Sequence, residues 1–463
     1  MSTQHSKAAK EFLKNQQYAH WHDATFWAVR SKRDNMAYGL NEWEQLREKA
    51  SQIKRHTITH LDEYLDLFAT NAEKNGVEVH WAKDAVEFNE IVYGILKNHN
   101  VKKMVKSKSM LTEECEMNPY LESKGIEVVE TDLGERILQM MHLAPSHIVM
   151  PALHVHREQI GDCFREQIPG TKVDNDPTYL TQVAREHLRQ QFMEAGAGMT
   201  GANFGIASTG DVVVCTNEGN ADMSTSIPKL HIVSMGIEKL IPDYQSMAVF
   251  QRLLARCGTG QETTVYTSHF RGPRPGGEMH IVLVDNGRSS ILGNPEHWQT
   301  LKCMRCGACM NTCPVYRRSA GYSYTYFIPG PIGVNLGMLR DRSRYYDNVS
   351  ACSLCCSCDN VCPVKVDLST QIYRWRQGLD SDGHADSMKK FMSKGMKFLF
   401  SHPSLYTGTL KMARAMNWMP HWLTNCKMNP WAYGHEMMKF PKQSFHVQWK
   451  KLKKDDSGTL NEK

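Results

Sequence analysis

The sequence predicts an α/β domain on a mostly parallel sheet, followed by an α-helical cysteine-loop domain and a helical basic tail. Three observations predict it. Short strand and helix patterns alternate from residue 77 to residue 150, as βαβ units do. Strand patterns stop past Gly293-Asn294-Pro295. Nine of the fourteen cysteines then crowd into residues 303–362, too dense for scattered core thiols. A chain of 463 residues suits two or three domains, each burying a core of its own. The expected divisions are an N-terminal extension (1–40), the α/β domain (41–295), the cysteine-loop domain (296–385) and a Met/Trp-rich basic region (386–463).

The elements follow in order. Leu46, Ile53, Ile58, Leu61, Tyr64, Leu65 and Phe68 fall mainly at three- and four-residue steps, which predicts one long amphipathic helix over 41–72. Strands are expected at 77–81, 101–105, 126–130 and 147–150. Helices are expected at 85–96 and 113–124, the second capped by Thr112. Residues 204–208 and 211–215 flank Thr209-Gly210 and read as a hairpin, with a further strand at 230–235. The loop Gly272-Pro273-Arg274-Pro275-Gly276-Gly277 leads to a last strand at 279–284, closed by Asp285-Asn286-Gly287.

Composition excludes several classes. With 41% hydrophobic and 22% charged residues, disorder is not the main state. Apolar runs such as Val212-Val213-Val214 fall far short of the roughly 18–20 residues a membrane span needs. The polar N-terminus lacks an apolar signal core, so the expected address is cytoplasmic. A net charge of +6 is too weak to imply nucleic acid. Residues 386–463 nevertheless carry fourteen Lys and Arg against five Asp and Glu, which suggests docking to an acidic partner or peripherally to anionic lipid at the inner membrane face.

The cysteines repeat as Cys303-x2-Cys306-x2-Cys309-x3-Cys313-Pro314 and Cys352-x2-Cys355-x2-Cys358-x3-Cys362-Pro363. Three cysteines at steps of three wrap one corner of an iron–sulfur cubane, and in two-cluster ferredoxins the fourth ligates the other cluster. The expected cofactors are therefore two 4Fe–4S clusters. Cluster 1 is assigned to Cys303, Cys306, Cys309 and Cys362, and cluster 2 to Cys352, Cys355, Cys358 and Cys313. Paired zinc sites fit worse, since they usually show Cys-x2-Cys pairs separated by a longer spacer. Cys356 reads as a packed free thiol near the cluster, and the isolated Cys115, Cys163, Cys215, Cys257 and Cys426 as small core hydrophobes. Between the runs, Tyr316, Tyr322, Tyr324, Tyr326 and Phe327, with Arg317 and Arg318, either shield the clusters by packing or form a docking face for a redox partner.

Together with these cysteines, a set of motifs makes the chain resemble the lactate-utilisation iron–sulfur protein B (LutB-type) family over nearly its whole length. They are Lys106-Ser107-Lys108-Ser109-Met110, Glu127-Val128-Val129-Glu130-Thr131-Asp132-Leu133-Gly134-Glu135, Pro145-Ser146-His147-Ile148, Thr200-Gly201-Ala202-Asn203-Phe204, Asn217-Glu218-Gly219-Asn220 and Tyr373-Arg374-Trp375-Arg376. The resemblance implies a first domain of the sugar-phosphate isomerase/cyclo-ligase type and a helical bicluster ferredoxin domain. It implies a non-catalytic electron-transfer subunit of a complex oxidising L-lactate to pyruvate. The implied partners are a cysteine-rich iron–sulfur subunit and a small LutC-type subunit related to the first domain, with no nucleic acid. The glycine-rich ATP loop of an active cyclo-ligase is not evident.

The first domain keeps open readings. Lys106 and Lys108 form either an anion site or a solvated loop, and the Thr200 and Asn217 motifs either shape a pocket or are self-satisfied turns. The pairs His20/His22 and His154/His156 lack a nearby third ligand and read as surface or core. In the tail, Met388, Met392, Met396, Met412, Met416 and Met419, beside Phe398, Phe400, Trp418, Trp422 and Trp431, predict packed helices or a subunit interface, with a lipid-facing surface as the alternative. Two rival functions stand beside the carrier: a sugar-phosphate- or folate-type substrate-binding enzyme with accessory clusters, and a redox-sensing adaptor.

Overall fold

Near-continuous apolar runs make the central strands. Leu230–Gly236 (β7) is buried throughout, and Glu278–Val284 (β10) in all but its first residue. Burial on both faces is the signature of a parallel sheet covered by helices. In a computed structural model describing residues 4–381, 383, 387–420, 422 and 439–459, these strands join Glu78–Ala82 (β1), Lys103–Lys106 (β2), Glu127–Glu130 (β3) and Ala197–Gly201 (β4). The order is β1-β10-β7-β4-β2-β3 and every pairing is parallel. A smaller sheet holds Phe204–Ile206 (β5), Asp211–Thr216 (β6), Leu240–Ile241 (β8) and Tyr266–Phe270 (β9) in the order β8-β5-β6-β9. The antiparallel β5–β6 pair is the expected hairpin. Past Val284 the described chain is helical and irregular, so the α/β domain is followed by a helical cysteine-loop region as predicted.

The winding of the large sheet reverses once. From β2 the chain steps outward to β3, returns past β2 to β4, then continues the other way through β7 and β10. Such a reversal opens a crevice at the carboxyl ends of the two strands that flank it, here β2 and β4.

Three expectations are corrected. The helix expected over 41–72 is two helices, Trp43–Thr59 and Leu61–Lys74. The break is at His60, whose Nδ1 bonds back to the His56 carbonyl at 2.9 Å, while Asp62 and Glu63 suit the start of a new helix. The helix expected over 113–124 is Met110–Glu114 and Met117–Ser123, split by Glu116 at φ 51°, and the first is capped by Ser109 rather than Thr112. Residues 147–150 form no strand. The His147 ring Nδ1 accepts the backbone N–H groups of Val149 and Met150, both at 3.0 Å, and so takes the donors a ladder would need.

The described chain divides into two compact units, Met1–Leu379 and Asp380–Lys463. Within the first, one apolar core runs from Phe26 and Trp43 through Phe250 and Leu253 to Cys309, Tyr316 and Cys362. The N-terminal helix Gln16–Tyr38 therefore belongs to the body that holds the cysteine loops, and the helix Gln4–Phe12 is tied to it by the His5 N–H, which donates to Asp347 at 2.8 Å. In the second unit, Phe391, Met412, Trp418 and Trp422 are exposed. Met416 has no described side chain, and Cys426 and Trp431 lie outside the described residues. Among the described residues no helix is long and apolar enough to cross a membrane.

Candidate metal centre and an adjoining cavity

The two cysteine loops have the same backbone shape. Two residues after the leading cysteine, Arg305 (φ 60°) and Leu354 (φ 53°) are left-handed, and their N–H groups donate to Cys303 Sγ and Cys352 Sγ at 3.4 Å. Two residues further, Gly307 (φ 78°) and Cys356 (φ 59°) are left-handed again and cap the short helices Ala308–Thr312 and Ser357–Val361. At Gly307 a Cβ would lie 3.0 Å from the His147 ring, so glycine is needed for space as well as conformation. Cys356 corrects its expectation: it is exposed rather than packed, and it stands where the first loop has glycine.

The two short helices pack on each other, with Thr312 Oγ1 against Ser357 Oγ. Thiols from opposite loops thereby become neighbours. Burial pushes the Cys309 thiol up, and Cys303, Cys306 and Cys362 add to the effect. Burial lifts Cys362 to about 12, again with Cys306 and Cys303 contributing. Burial also raises Cys358, helped by Asp359, Cys309, Cys313 and Cys352, and lifts Cys313 to about 11 with Cys352 contributing. Crowded buried thiols resist ionising one by one. An iron–sulfur core supplies the positive charge that makes them thiolates, so the donor set fits such a group. All the described cysteines are free of disulfides.

Basic side chains grip the Cys-Pro segment of the second loop. Arg47 donates to the Cys362 carbonyl at 2.9 and 3.0 Å and to the Asp359 carbonyl at 3.0 Å. Arg33 reaches the Val361 carbonyl at 3.2 Å, and Lys302 the Lys365 carbonyl at 2.7 Å. Arg376, from the Tyr373 motif, binds the carbonyls of Val349 and Cys352. Sequence reading missed Arg33, Arg47 and Lys302, whose only signal was a basic residue on the apolar stripe of a helix or beside a cysteine. Of the aromatics between the runs, Tyr316 and Tyr324 are buried, with Tyr324 Oη 3.9 Å from Cys313 Sγ. Tyr326 and Phe327 are half-buried, while Tyr322 and Arg318 are exposed. Cys257, a core thiol as expected, stands beside Cys306 and with burial pushes the Cys306 thiol up.

At the carboxyl ends of β2, β4 and β7 lies a cavity of about 330 Å³. Ser107, Lys108, Gly201, Asn203, Asn217 and Glu218 line it, so three separated motifs meet, and Arg305 and Cys306 of the first cysteine loop close another side. Lys106 is elsewhere: fully buried, it pairs with Glu130 at 2.7 Å and Glu113 at 3.5 Å. Each of the three amides is engaged through at least one atom. Asn203 Oδ1 accepts Cys215 N–H at 2.9 Å, Asn217 bonds Gln261 at 2.9 Å, and Asn220 Oδ1 takes the Thr216 hydroxyl at 3.2 Å. Thr200 is buried against His231 Nε2 at 2.9 Å. His147 links the cavity side to the metal side, its Nε2 meeting Asn311 Oδ1 at 3.1 Å. His22 and His154 are held by Arg317 O and by Ser146 Oγ, as packing residues.

The LUD domain family matches residues 65–289, and the 4Fe-4S dicluster domain family matches residues 299–366. Lactate utilization protein B of Geobacillus thermodenitrificans (strain NG80-2) is 44% identical over 383 residues, covering 81% of this chain and 80% of that protein. The Oceanobacillus iheyensis protein of the same name is 40% identical over 445 residues, 93% of each. The Escherichia coli (strain K12) protein called uncharacterized electron transport protein YkgF is 40% identical over 398 residues, 84% of this chain and 83% of its own. A crystal structure of a DUF162-family protein from Deinococcus radiodurans overlays 48% of this chain and 98% of its own at 12% identity, with a TM-score of 0.28, too loose to argue from. With a LUD domain ahead of an iron–sulfur dicluster domain, the chain belongs to the lactate utilization protein B family.

Proposed function

We propose that this chain is the electron-transfer subunit of an L-lactate-oxidising complex. Cys303, Cys306, Cys309 and Cys362 hold one 4Fe–4S cluster, and Cys352, Cys355, Cys358 and Cys313 hold the other. The observation that carries the reading is the crowding of thiols across two loops of equal shape: Cys362 acts on Cys309 beside Cys303 and Cys306, and Cys313 acts on Cys358 beside Cys352 and Cys309. Crossed ligation of this kind belongs to two-cluster ferredoxins, and adjacent clusters pass electrons within one domain. Oxidising lactate to pyruvate releases two electrons and two protons, and two clusters taking one electron each match that count. The relatives' names, which speak of lactate utilization and electron transport, supply the substrate side of the reading. The partners it requires are a cysteine-rich iron–sulfur subunit and a small subunit related to the first domain. The exposed Phe391, Met412, Trp418 and Trp422 suit such contacts.

Anaerobic reconstitution followed by iron and sulfide analysis and EPR of the reduced protein tests the cluster assignment. About eight irons and two interacting signals are expected; about four irons, or zinc without sulfide, would remove the conduit. In the intact complex, lactate should bleach the cluster absorbance, and Cys303→Ser and Cys352→Ser should each abolish that bleaching while leaving the α/β domain folded.

A further inference from the structure

The geometry points to the cavity at the carboxyl ends of β2 and β4 as a binding site for a small organic monocarboxylate, seated against the loop that carries Cys306. Residues of its lining carry polar groups that sit just behind its surface with no hydrogen-bond partner in the protein. Lys108 Nζ is inaccessible and donates no hydrogen bond; its ion-pair partner Glu135 stands 3.9 Å away, and Glu113 and Glu218 are the other carboxylates that act on it. Arg305 Nη1 is buried without an acceptor, and so is the hydroxyl of Ser107, a residue only 3% exposed. All three residues line this one cavity. A buried cation without a hydrogen-bond acceptor is costly even beside a carboxylate, and an anion bound between such groups relieves the cost with charge-assisted hydrogen bonds. Arg288 does not compete for the ligand, because Glu238 at 2.5 Å and Glu114 at 2.9 Å already engage it.

The remaining walls select among anions. Met110, Val149 and Leu254 offer an apolar side for an aliphatic body. Asp132 and Glu218 line the cavity too and would repel a doubly charged phosphate more than a monoanion. Burial, with Asp132 nearby, lifts the Glu218 carboxyl to about 7, so this wall is less negative at neutral pH than its carboxylates suggest. The volume has room for about eleven waters at ~30 Å³ each, ample for a small acid and its hydration. That the acid is a 2-hydroxy or 2-oxo acid rests on the function proposed above.

The test is anaerobic calorimetric titration of the full cluster-loaded chain with L-lactate, pyruvate, inorganic phosphate and the neutral lactamide, with EPR of the reduced protein alongside. Saturable binding of lactate or pyruvate is expected, with lactamide and the Lys108→Gln variant each weaker by about tenfold or more. Lys108→Arg should restore most of the affinity, and Ser107→Ala should weaken it by about threefold. The EPR signal of the cluster bearing Cys306 should shift on binding while the other stays put. Iron content and circular dichroism establish that each variant is folded. Phosphate binding where the acids fail, no saturable binding of either acid, or equal affinity in wild type and folded Lys108→Gln would each overturn the site. Lactate-driven cluster reduction in the complex by a chain that binds no acid would sink this inference and leave the carrier intact. Acid binding without any cluster reduction would do the reverse.

Discussion

At the scale of single residues, charge buried in pairs holds the first domain together. Lys106 sits at the end of β2 with no exposure, paired to Glu130 at 2.7 Å. Replacing it by Met strands Glu130 and Glu113 in a low-dielectric site, and an expected loss of about 3–5 kcal/mol should appear as a lower urea midpoint. Adding Glu130→Leu should recover part of that loss, because the isolated charge is what costs. Buried histidines set the pH response. Burial lowers His147 and His231 to about 3 from the ordinary 6.5. Between those values the unfolded chain takes up protons that the folded chain refuses, so stability is full above about pH 6.5 and falls as pH drops towards 3, by about 1.4 kcal/mol per pH unit for each group. Urea midpoints at pH 7.5 and 5.5 measure the slope. His231→Gln should reduce it by roughly one group's share, and an unchanged slope would contradict the assignment.

At the scale of elements, packing partners decided what local pattern left open. Periodicity placed the helices near Leu46 and Phe68 but ran them together, since the break at His60 comes from a side-chain bond that periodicity does not register. The apolar run His147-Ile148-Val149-Met150 looked like a strand until the His147 ring claimed its N–H groups. The helix Trp43–Thr59 carries a function its pattern did not reveal, because Arg47 faces inward to grip the Cys362 segment. Removing that grip frees the carbonyls of Asp359 and Cys362. Arg47→Ala should cost about 1.5–3 kcal/mol and speed iron release to a chelator, with Arg47→Lys intermediate. An unchanged release rate would mean that the helix merely covers the loop.

At the scale of the whole molecule, the two proposed clusters sit in unequal surroundings. Cys306, Cys309 and Cys362 are buried and Cys303 is half-buried, whereas Cys355 is exposed and Cys352 half-buried. Solvent and oxygen therefore reach the second set first. On exposure to air the chain should lose the cluster held by Cys352, Cys355, Cys358 and Cys313 before the other, passing through a species with about four irons. Stepwise EPR with iron counting follows the order, and simultaneous loss or the reverse order would contradict the predicted asymmetry. The buried set is also the one beside the cavity, so the proposed ligand site adjoins the better protected centre.

The cysteine repeat, the α/β alternation and the change of character past residue 293 were legible in the chain alone. A metal-binding loop closes on ligands three residues apart, and strand and helix periods are equally short-range. The fold decided the rest. Lys108, Gly201 and Glu218 stand far apart in sequence and meet only because the parallel winding reverses between β2 and β4. The closeness of Cys306 to that crevice, and the hold of Arg33 and Arg47 on the second loop, likewise depend on contacts across hundreds of residues. No spacing along the chain encodes such contacts, because the sheet topology and the shared core set them.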